Sequence, residues 1–195
     1  MTVELAGMIA WVLMVVGWYV IRYPFERRAK RAKVMATRRG GAETLRMLVS
    51  FSGLGLIPGI FVATGFPEFA DYNLSVIQLL AGILVGILAL TLFRLTHKAL
   101  GKMWSVSLDL REKHKLVTTG IYKTVRHPMY SAFWAMALAQ ALLLPNWVAG
   151  LAGLVGFGTL FFLRVGPEED MMETAFGDEY RAYRKRTARI IPGIY

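Results

Sequence analysis

The residues best suited to chemistry lie in two short stretches, each next to a long apolar run. The first is GIYKTVRHPMY, residues 120–130, which combines two tyrosines, a lysine, an arginine and a histidine. The second contains Arg164, Glu168 and Glu169. A guanidinium or a carboxylate at a membrane boundary is costly unless it is paired or solvated, and a histidine in a partly dry place needs two hydrogen-bond partners. These groups are therefore candidates for a functional site.

The first stretch also has a structural interpretation. Pro128 suits the first turn of a helix, where its missing N–H costs nothing. Arg126 and Lys123 could extend from that helix start to the lipid headgroups, and Tyr130 could be an interfacial tyrosine. This interpretation serves His127 less well, because it leaves the two ring nitrogens without partners.

The second stretch has a comparable alternative. Arg164 and Glu168 are four residues apart, so they share one face of a helix if that helix continues beyond them. Pro167 favours a break of the helix at this point. A structural ion pair that closes the helix end is the alternative to a functional pair.

Five apolar blocks predict the elements that position these groups. The chain is 55% hydrophobic and 18% charged, whereas soluble domains have about 45–50% apolar and about 25% charged residues. The excess lies in blocks of 16 to 22 residues, a length that suits helices crossing a bilayer. We predict an all-α integral membrane protein whose five transmembrane helices are Leu5–Ile21, Leu45–Phe66, Leu74–Leu95, Met129–Leu144 and Trp147–Leu163.

Two other interpretations of the apolar blocks are less favourable. A soluble bundle would have to bury several nearly chargeless runs within 195 residues. The first block could be a signal peptide, but such a peptide carries basic residues before its apolar core. Here Glu4 precedes the block and the basic residues follow from Arg22. We therefore expect a retained first helix.

The basic residues predict the orientation. All 23 Lys and Arg residues fall on one side of the five helices, in Arg22–Arg46, Arg94–Arg126 and Arg164–Tyr195. The positive-inside rule places this side in the cytoplasm, so the amino terminus is outside and the carboxyl terminus is cytoplasmic. The net charge of +10 then reflects topology and contact with anionic lipid, and we expect no binding of nucleic acid.

The last two predicted helices form a hairpin whose cytoplasmic end brings two polar segments together. Residues 113–130 lead into the hairpin and residues 164–184 leave it, so we predict that they form one site. Within the preceding loop, Trp104–Leu110 alternates apolar and polar residues, which indicates extended backbone. The segment VTTGIY indicates a turn at Gly120.

Several kinds of site are excluded or disfavoured by composition. The chain contains no cysteine, which excludes a disulfide, a thiolate–zinc site and a cysteine nucleophile. Its histidines, His97, His114 and His127, are too scattered for a short metal-ligand motif, so we predict no metal. The residues alone indicate an intramembrane enzyme or binding protein with a site facing the cytoplasm.

Two motifs resemble the isoprenylcysteine carboxyl methyltransferase family. HKLVTTGIYKTVRHPMYSAF is similar to its signature H-x-L-V-x-x-G-P-Y-x-x-x-R-H-P-x-Y-x-G, and RVGPEEDMMETAFGDEYRAYRKRTARIIPG is similar to its tail R-x-x-x-E-E-x-x-L-x-x-x-F-G-x-x-Y-x-x-Y-x-x-x-x-x-R-x-x-P. The resemblance covers His114–Gly193 and is to the short prokaryotic members. Ile121 replaces the usual proline and Ala132 a common glycine.

The resemblance implies one membrane domain over residues 1–195, with three helices in 1–96 and the cofactor-binding and catalytic part in 97–195. It implies S-adenosylmethionine (SAM) as methyl donor and S-adenosylhomocysteine as product. The cofactor would bind on the cytoplasmic side, between the loop before the fourth helix and the tail. The implied catalytic residues are Arg164 and Glu168. The implied cofactor-binding residues are His114, Leu116, Val117, Gly120, Tyr122, His127, Tyr130, Tyr180 and Tyr183.

The implied acceptor is a lipophilic small molecule or a prenylated peptide with a carboxylate. An ionised carboxylate needs alignment and a cation, and the planar fork of Arg164 matches it. Glu168 would orient Arg164, or accept a proton from an amine acceptor. Three alternatives remain: a lipid amine N-methyltransferase, an NADPH-dependent enzyme similar to sterol reductases, and a non-catalytic scaffold that binds anionic lipid.

Overall fold

The computed structural model describes residues 1–29, 34–37, 40–101, 109–111 and 116–194, which are mainly helical. The helices are α1 (Val3–Ala29), α2 (Gly41–Phe51), α3 (Ile57–Thr64), α4 (Val76–Leu100), α5 (Pro128–Leu143), α6 (Trp147–Phe176) and α7 (Asp178–Arg186). Two short strands, β1 (Val34–Thr37) and β2 (Asp109–Arg111), pair antiparallel. The strand β2 begins inside the segment predicted to be extended, of which residues 104–108 lie outside the described residues.

Four helical stretches in the described part of the chain are long and apolar enough to cross a membrane. They are Val3–Arg28, Gly41–Thr64, Val76–Leu100 and Trp147–Phe176. The protein is therefore a multi-pass membrane protein. The helix α5 has 16 residues, fewer than the ~20 that usually span a bilayer. Its role as a fifth span stays a prediction.

The helix α6 continues through Pro167, so the expected break at that residue is wrong. A proline disfavours helical geometry in the preceding residue because its ring clashes with that residue's Cβ. The preceding residue here is Gly166, which has no Cβ and avoids this part of the clash. The continuous helix keeps Arg164 and Glu168 one turn apart on the same face.

Two glycines bring α2 and α6 into backbone contact. A π-helical turn, Ser52–Leu56, follows α2 directly. A Cβ atom added to Gly53 would lie 2.2 Å from the carbonyl oxygen of Ala152, and one added to Gly156 would lie 2.7 Å from that of Val49. Such close approach requires residues without a side chain. The crossing therefore fixes α2 against the helix that carries the candidate catalytic residues.

Gln140 on α5 connects three further elements in the apolar layer. Its buried amide donates to the carbonyl oxygens of Gly53 at 3.0 Å and Ala149 at 2.8 Å, and accepts from Trp11 Nε1 at 3.4 Å. The π-helical partner of the Gly53 carbonyl would be position 58, where Pro58 has no N–H to donate. Gln140 satisfies that carbonyl and ties α1, the π-helical turn and α6 to α5.

Candidate active site

A cavity of about 770 Å³ lies between α5, α6 and α7 and extends to α1 and α2. One part of its lining is polar and the other is apolar. The polar part includes Tyr122, Arg126, His127, Tyr130, Arg164, Glu168, Tyr180 and Tyr183. The apolar part includes Met14, Leu54, Phe133, Met136, Phe157 and Leu160. One ligand with a polar end, or two ligands of different polarity, can therefore share this space.

Backbone hydrogen bonds join the segment before α5 to the tail after α7. The N–H of Arg126 donates to the carbonyl of Ala188 at 2.9 Å, and the N–H of His127 to that of Arg189 at 3.0 Å. In the opposite direction, the N–H of Ala188 donates to the carbonyl of Thr124 at 3.1 Å. The two segments predicted to meet do so, and the contact extends a few residues beyond residue 184.

The carboxylate of Glu169 lies at the centre of a buried ion-pair cluster. Its Oε1 is 2.9 Å from Arg126 Nε and 3.2 Å from His127 Nε2, and its Oε2 is 2.8 Å from Arg189 Nη2. Glu169 is only 3% exposed. The cluster therefore links α6, the start of α5 and the tail. Arg189 was not among the predicted site residues, although it occupies the arginine position of the tail motif.

The two candidate catalytic residues lie together at the polar end of the cavity. Arg164 Nε is 3.8 Å from Glu168 Oε2. The hydroxyl of Tyr130 donates to the same carboxylate oxygen, and His127 Nδ1 lies 3.7 Å from the other. Four of the predicted residues thus form one group. Both ring nitrogens of His127 face carboxylates, those of Glu168 and Glu169. Its contact with a cofactor stays a prediction.

Glu43, on α2, is a site residue that the sequence analysis missed. Its Oε1 lies 3.3 Å from Arg164 Nε, and its side chain is buried. In sequence it belongs to the basic segment that indicated only topology. The first three predicted helices carry no specific motif, so nothing in the sequence points to this contact.

Three buried tyrosines, Tyr122, Tyr180 and Tyr183, line the cavity. Tyr183 donates its hydroxyl to the carbonyl of Tyr122 at 2.7 Å. Burial raises the pKa of Tyr183 to about 12 and the pKa values of Tyr122 and Tyr180 still further. All three are therefore neutral at physiological pH. Among the described residues, none forms a hydrogen bond with the buried hydroxyl of Tyr180, which lines the cavity.

The remaining predicted residues are placed as follows. Leu116 and Val117 line the cavity. Gly120, with a φ of 62°, begins the 3₁₀ turn Gly120–Lys123 that carries Tyr122 inward. Its backbone angle favours glycine, which confirms the predicted turn. His114 lies outside the described residues.

These residues fit S-adenosylmethionine. The cofactor has an adenine ring that suits an apolar slot and a charged amino-acid end that needs polar partners. Leu116 and Val117 provide apolar surface, and the hydroxyl of Tyr180, which has no partner among the described residues, is available as a hydrogen-bond donor. A buried polar group without a partner is costly, so a ligand that accepts from Tyr180 would relieve that cost.

The fold and the cavity define a class: a multi-pass membrane protein in which one cavity joins a polar pocket to an apolar one. The model of the isoprenylcysteine carboxyl methyltransferase (ICMT) family matches residues 79–174. This region begins in α4 and ends in α6, and it contains Arg126, His127, Arg164 and Glu168. Residues 79–174 therefore carry the sequence of that family, as the two motifs predict.

Curated relatives match over slightly less than half of the chain. A protein-S-isoprenylcysteine O-methyltransferase of Schizosaccharomyces pombe is 42% identical over 89 residues, which are 46% of this chain and 38% of the relative. The enzyme of that name from Dictyostelium discoideum is 34% identical over 94 residues, with the same two shares. The matched region thus spans about two fifths of the length of these relatives.

A solved structure shares the fold. It is described as the eukaryotic intramembrane Ras methyltransferase ICMT without a monobody. The TM-score is 0.53 at 23% sequence identity, over 80% of this chain and 54% of that chain. At this identity the likeness concerns the fold alone.

Proposed function

We propose that this protein is an S-adenosylmethionine-dependent carboxyl O-methyltransferase. Its acceptor is a lipophilic, isoprenylcysteine-like molecule, methylated at the membrane–cytoplasm boundary. The observation that carries the proposal is the position of Arg164 and Glu168, which lie within 3.8 Å of each other in the polar part of a cavity whose lining also includes many apolar side chains. Both belong to the region that matches the family.

The polar part of the cavity holds the cofactor in this proposal. Leu116 and Val117 flank the adenine, and Tyr180 donates its hydroxyl to the polar end. Bound S-adenosylmethionine supplies an electrophilic methyl group with a positively charged sulfur. Glu168 lines the same part of the cavity, and its carboxylate favours a cation nearby.

The apolar part of the cavity holds the acceptor's hydrocarbon chain. Met14, Met47, Met129 and Met136 line it together with Phe133, and methionines adapt to irregular apolar shapes. Arg164 then binds the carboxylate, which is already ionised and needs no base. Orientation of this kind lowers a barrier by ~7–11 kcal/mol in favourable cases.

We also propose that the site faces the cytoplasm and that α5 is a fifth, short span. All 23 basic residues lie on one side of the five predicted helices. Arg126, Arg164 and Arg189 gather at one end of the α5–α6 hairpin, as a single cytoplasmic end requires.

The decisive experiment measures transfer of a radioactive methyl group by the detergent-purified protein. The probe acceptor is N-acetyl-S-farnesylcysteine, and the control is the same compound with its carboxylate already esterified. We expect label in the first compound alone, released as methanol by base because a methyl ester is base-labile. Label that enters phosphatidylethanolamine and resists base would contradict carboxyl transfer and indicate amine methylation.

A thermal-shift comparison separates the remaining alternatives. S-adenosylhomocysteine should raise the melting temperature, because a ligand that binds only the folded state stabilises it, whereas NADPH should not. Stabilisation by NADPH alone would favour the reductase. A protein that responds to neither ligand and methylates no acceptor would agree with a scaffold instead.

A further inference from the structure

Among the described residues, two carboxylates lie close to Arg164, and the nearer of them comes from outside the matched family region. Arg164 Nε lies 3.3 Å from Glu43 Oε1 and 3.8 Å from Glu168 Oε2. We propose that Glu43 is a positioning residue that orients the guanidinium of Arg164 towards the acceptor. The proposal rests on the methyl transfer proposed above and names the residue on which acceptor binding depends.

The two carboxylates are held differently. Glu168 accepts a hydrogen bond from Tyr130 and lines the cavity. Glu43 is 6% exposed and is not among the described residues that line the cavity. Glu168 is therefore placed to meet a ligand, whereas Glu43 supports Arg164 from the protein side.

The burial of Glu43 makes its dependence on Arg164 strong. Neither of its carboxylate oxygens has a hydrogen-bond partner among the described residues. Its other cationic neighbour is Arg46, whose Nη1 lies 3.9 Å from Oε2. A buried carboxylate is costly unless a cation compensates it. The attraction between the Glu43 carboxylate and Arg164, the nearer cation, therefore holds the guanidinium in place.

The backbone that carries Glu43 is fixed as well. Glu43 lies in the first turn of α2, where a negative charge interacts favourably with the helix dipole. The Gly53–Gly156 crossing then locks α2 and its π-helical extension against α6. The distance between Glu43 and Arg164 is therefore set by two helices in backbone contact.

Loss of Glu43 should affect the acceptor and spare the cofactor. Without its nearer partner, Arg164 can turn towards Glu168, and its fork then no longer presents both N–H groups to the acceptor carboxylate. Misplacement of a positioning group by about 1 Å can cost up to about a hundredfold in rate. Leu116, Val117 and Tyr180 are untouched by this change.

The experiment compares Glu43→Gln and Glu43→Asp with Arg46→Gln in the full-length protein in detergent. Arg46→Gln is the matched control, since it lies on the same helix and removes only the more distant partner. For Glu43→Gln we expect kcat/KM for N-acetyl-S-farnesylcysteine to fall about tenfold or more, with S-adenosylhomocysteine affinity unchanged. Glu43→Asp should recover part of the loss, and Arg46→Gln should resemble the wild type.

A second arm combines Glu43→Gln with Arg164→Lys. Because Arg164→Lys already lacks the fork, the added loss should be much smaller than that of Glu43→Gln alone. Fully additive losses would overturn the proposal, as would unchanged acceptor kinetics in Glu43→Gln. So would an equal loss of cofactor affinity, which indicates a general structural role. If Glu43→Gln does not fold, Glu43→Asp alone and with Arg164→Lys gives the same comparison.

The outcomes also separate this proposal from the proposed function. A wild-type protein that binds S-adenosylhomocysteine but methylates no carboxylate contradicts the function, and the role of Glu43 fails with it. An active wild-type protein with an equally active Glu43→Gln variant contradicts only the role of Glu43.

Discussion

Arg126 Nε and Glu169 Oε1 lie 2.9 Å apart, joining the segment before α5 to the helix α6. Glu169 and its sequence neighbour Glu168 have different surroundings. The side chain of Glu169 is 3% exposed and faces two arginines, whereas that of Glu168 is 26% exposed and faces the cavity. These surroundings suit Glu169 to a structural role and Glu168 to contact with a ligand.

The first prediction separates these two roles. Glu169→Gln should lower the melting temperature strongly, because it leaves Arg126 and Arg189 without their carboxylate, and breaking a buried pair costs about 3–5 kcal/mol. Glu168→Gln should keep a melting temperature near that of the wild type and lose methyl transfer. Thermal unfolding and label transfer on both variants test this. A stable Glu169→Gln protein would argue against the structural role.

The second prediction concerns the fork of Arg164. Arg164→Lys should lose most methyl transfer while S-adenosylhomocysteine binding survives, because an ammonium cannot reproduce bidentate contact with a carboxylate. Arg181→Lys is the control, since Arg181 forms exposed ion pairs with Glu173 and Asp178. Full activity in Arg164→Lys would show that another residue binds the acceptor carboxylate.

The third prediction contrasts two buried tyrosines. Tyr180→Phe should weaken the binding of S-adenosylhomocysteine by roughly 0.5–1.5 kcal/mol, the usual net value of one hydrogen bond. It should not lower the stability of the ligand-free protein. Tyr183→Phe should lower that stability, because it leaves the Tyr122 carbonyl without its donor. Calorimetry and thermal unfolding test the pair. Unchanged affinity of Tyr180→Phe for S-adenosylhomocysteine would show that the Tyr180 hydroxyl does not contact the cofactor.

The fourth prediction is a pH dependence. Burial raises the pKa of Tyr183 from 10.0 to about 12, so between these values the folded state holds a proton that the unfolded state releases. The contribution of Tyr183 to stability is therefore complete below pH 10 and is lost as pH rises towards 12. Tyr183→Phe should show a shallower fall of the melting temperature over this range. An identical slope in both proteins would contradict the assigned cause.

The fifth prediction tests the orientation. A reporter that is active only in the cytoplasm, fused after Tyr195, should be active, since the basic residues place the carboxyl terminus inside. The same reporter fused before Met1 should be silent. Activity of the fusion before Met1 would contradict the five-helix topology.

Much of this site could be predicted because its residues occur in two continuous motifs. The hairpin brings those motifs together through topology alone, so Tyr130, Arg164 and Glu168 could be grouped without coordinates. The membrane-spanning character follows from apolar length, which is a property of the sequence itself.

Other features could not be predicted because they depend on tertiary contact. Glu43 lies 121 positions before Arg164, and the tertiary contact between α2 and α6 brings the two residues together. The continuation of α6 past Pro167 depends on Gly166, because a residue without a Cβ avoids part of the clash by which a proline usually disfavours helical geometry before it. The strand β1 lies in a basic segment where charge hides the local pattern.

The backbone pairing of Arg126 and His127 with Ala188 and Arg189 has a consequence for biosynthesis. Ala188 and Arg189 are translated after the seven α-helices that the described residues form. The apolar helices, the last of which ends at Phe176, can therefore enter the bilayer before the segment that pairs with Arg126 and His127 has been made. Under the proposed function, competence to bind S-adenosylmethionine should therefore arise late, after insertion.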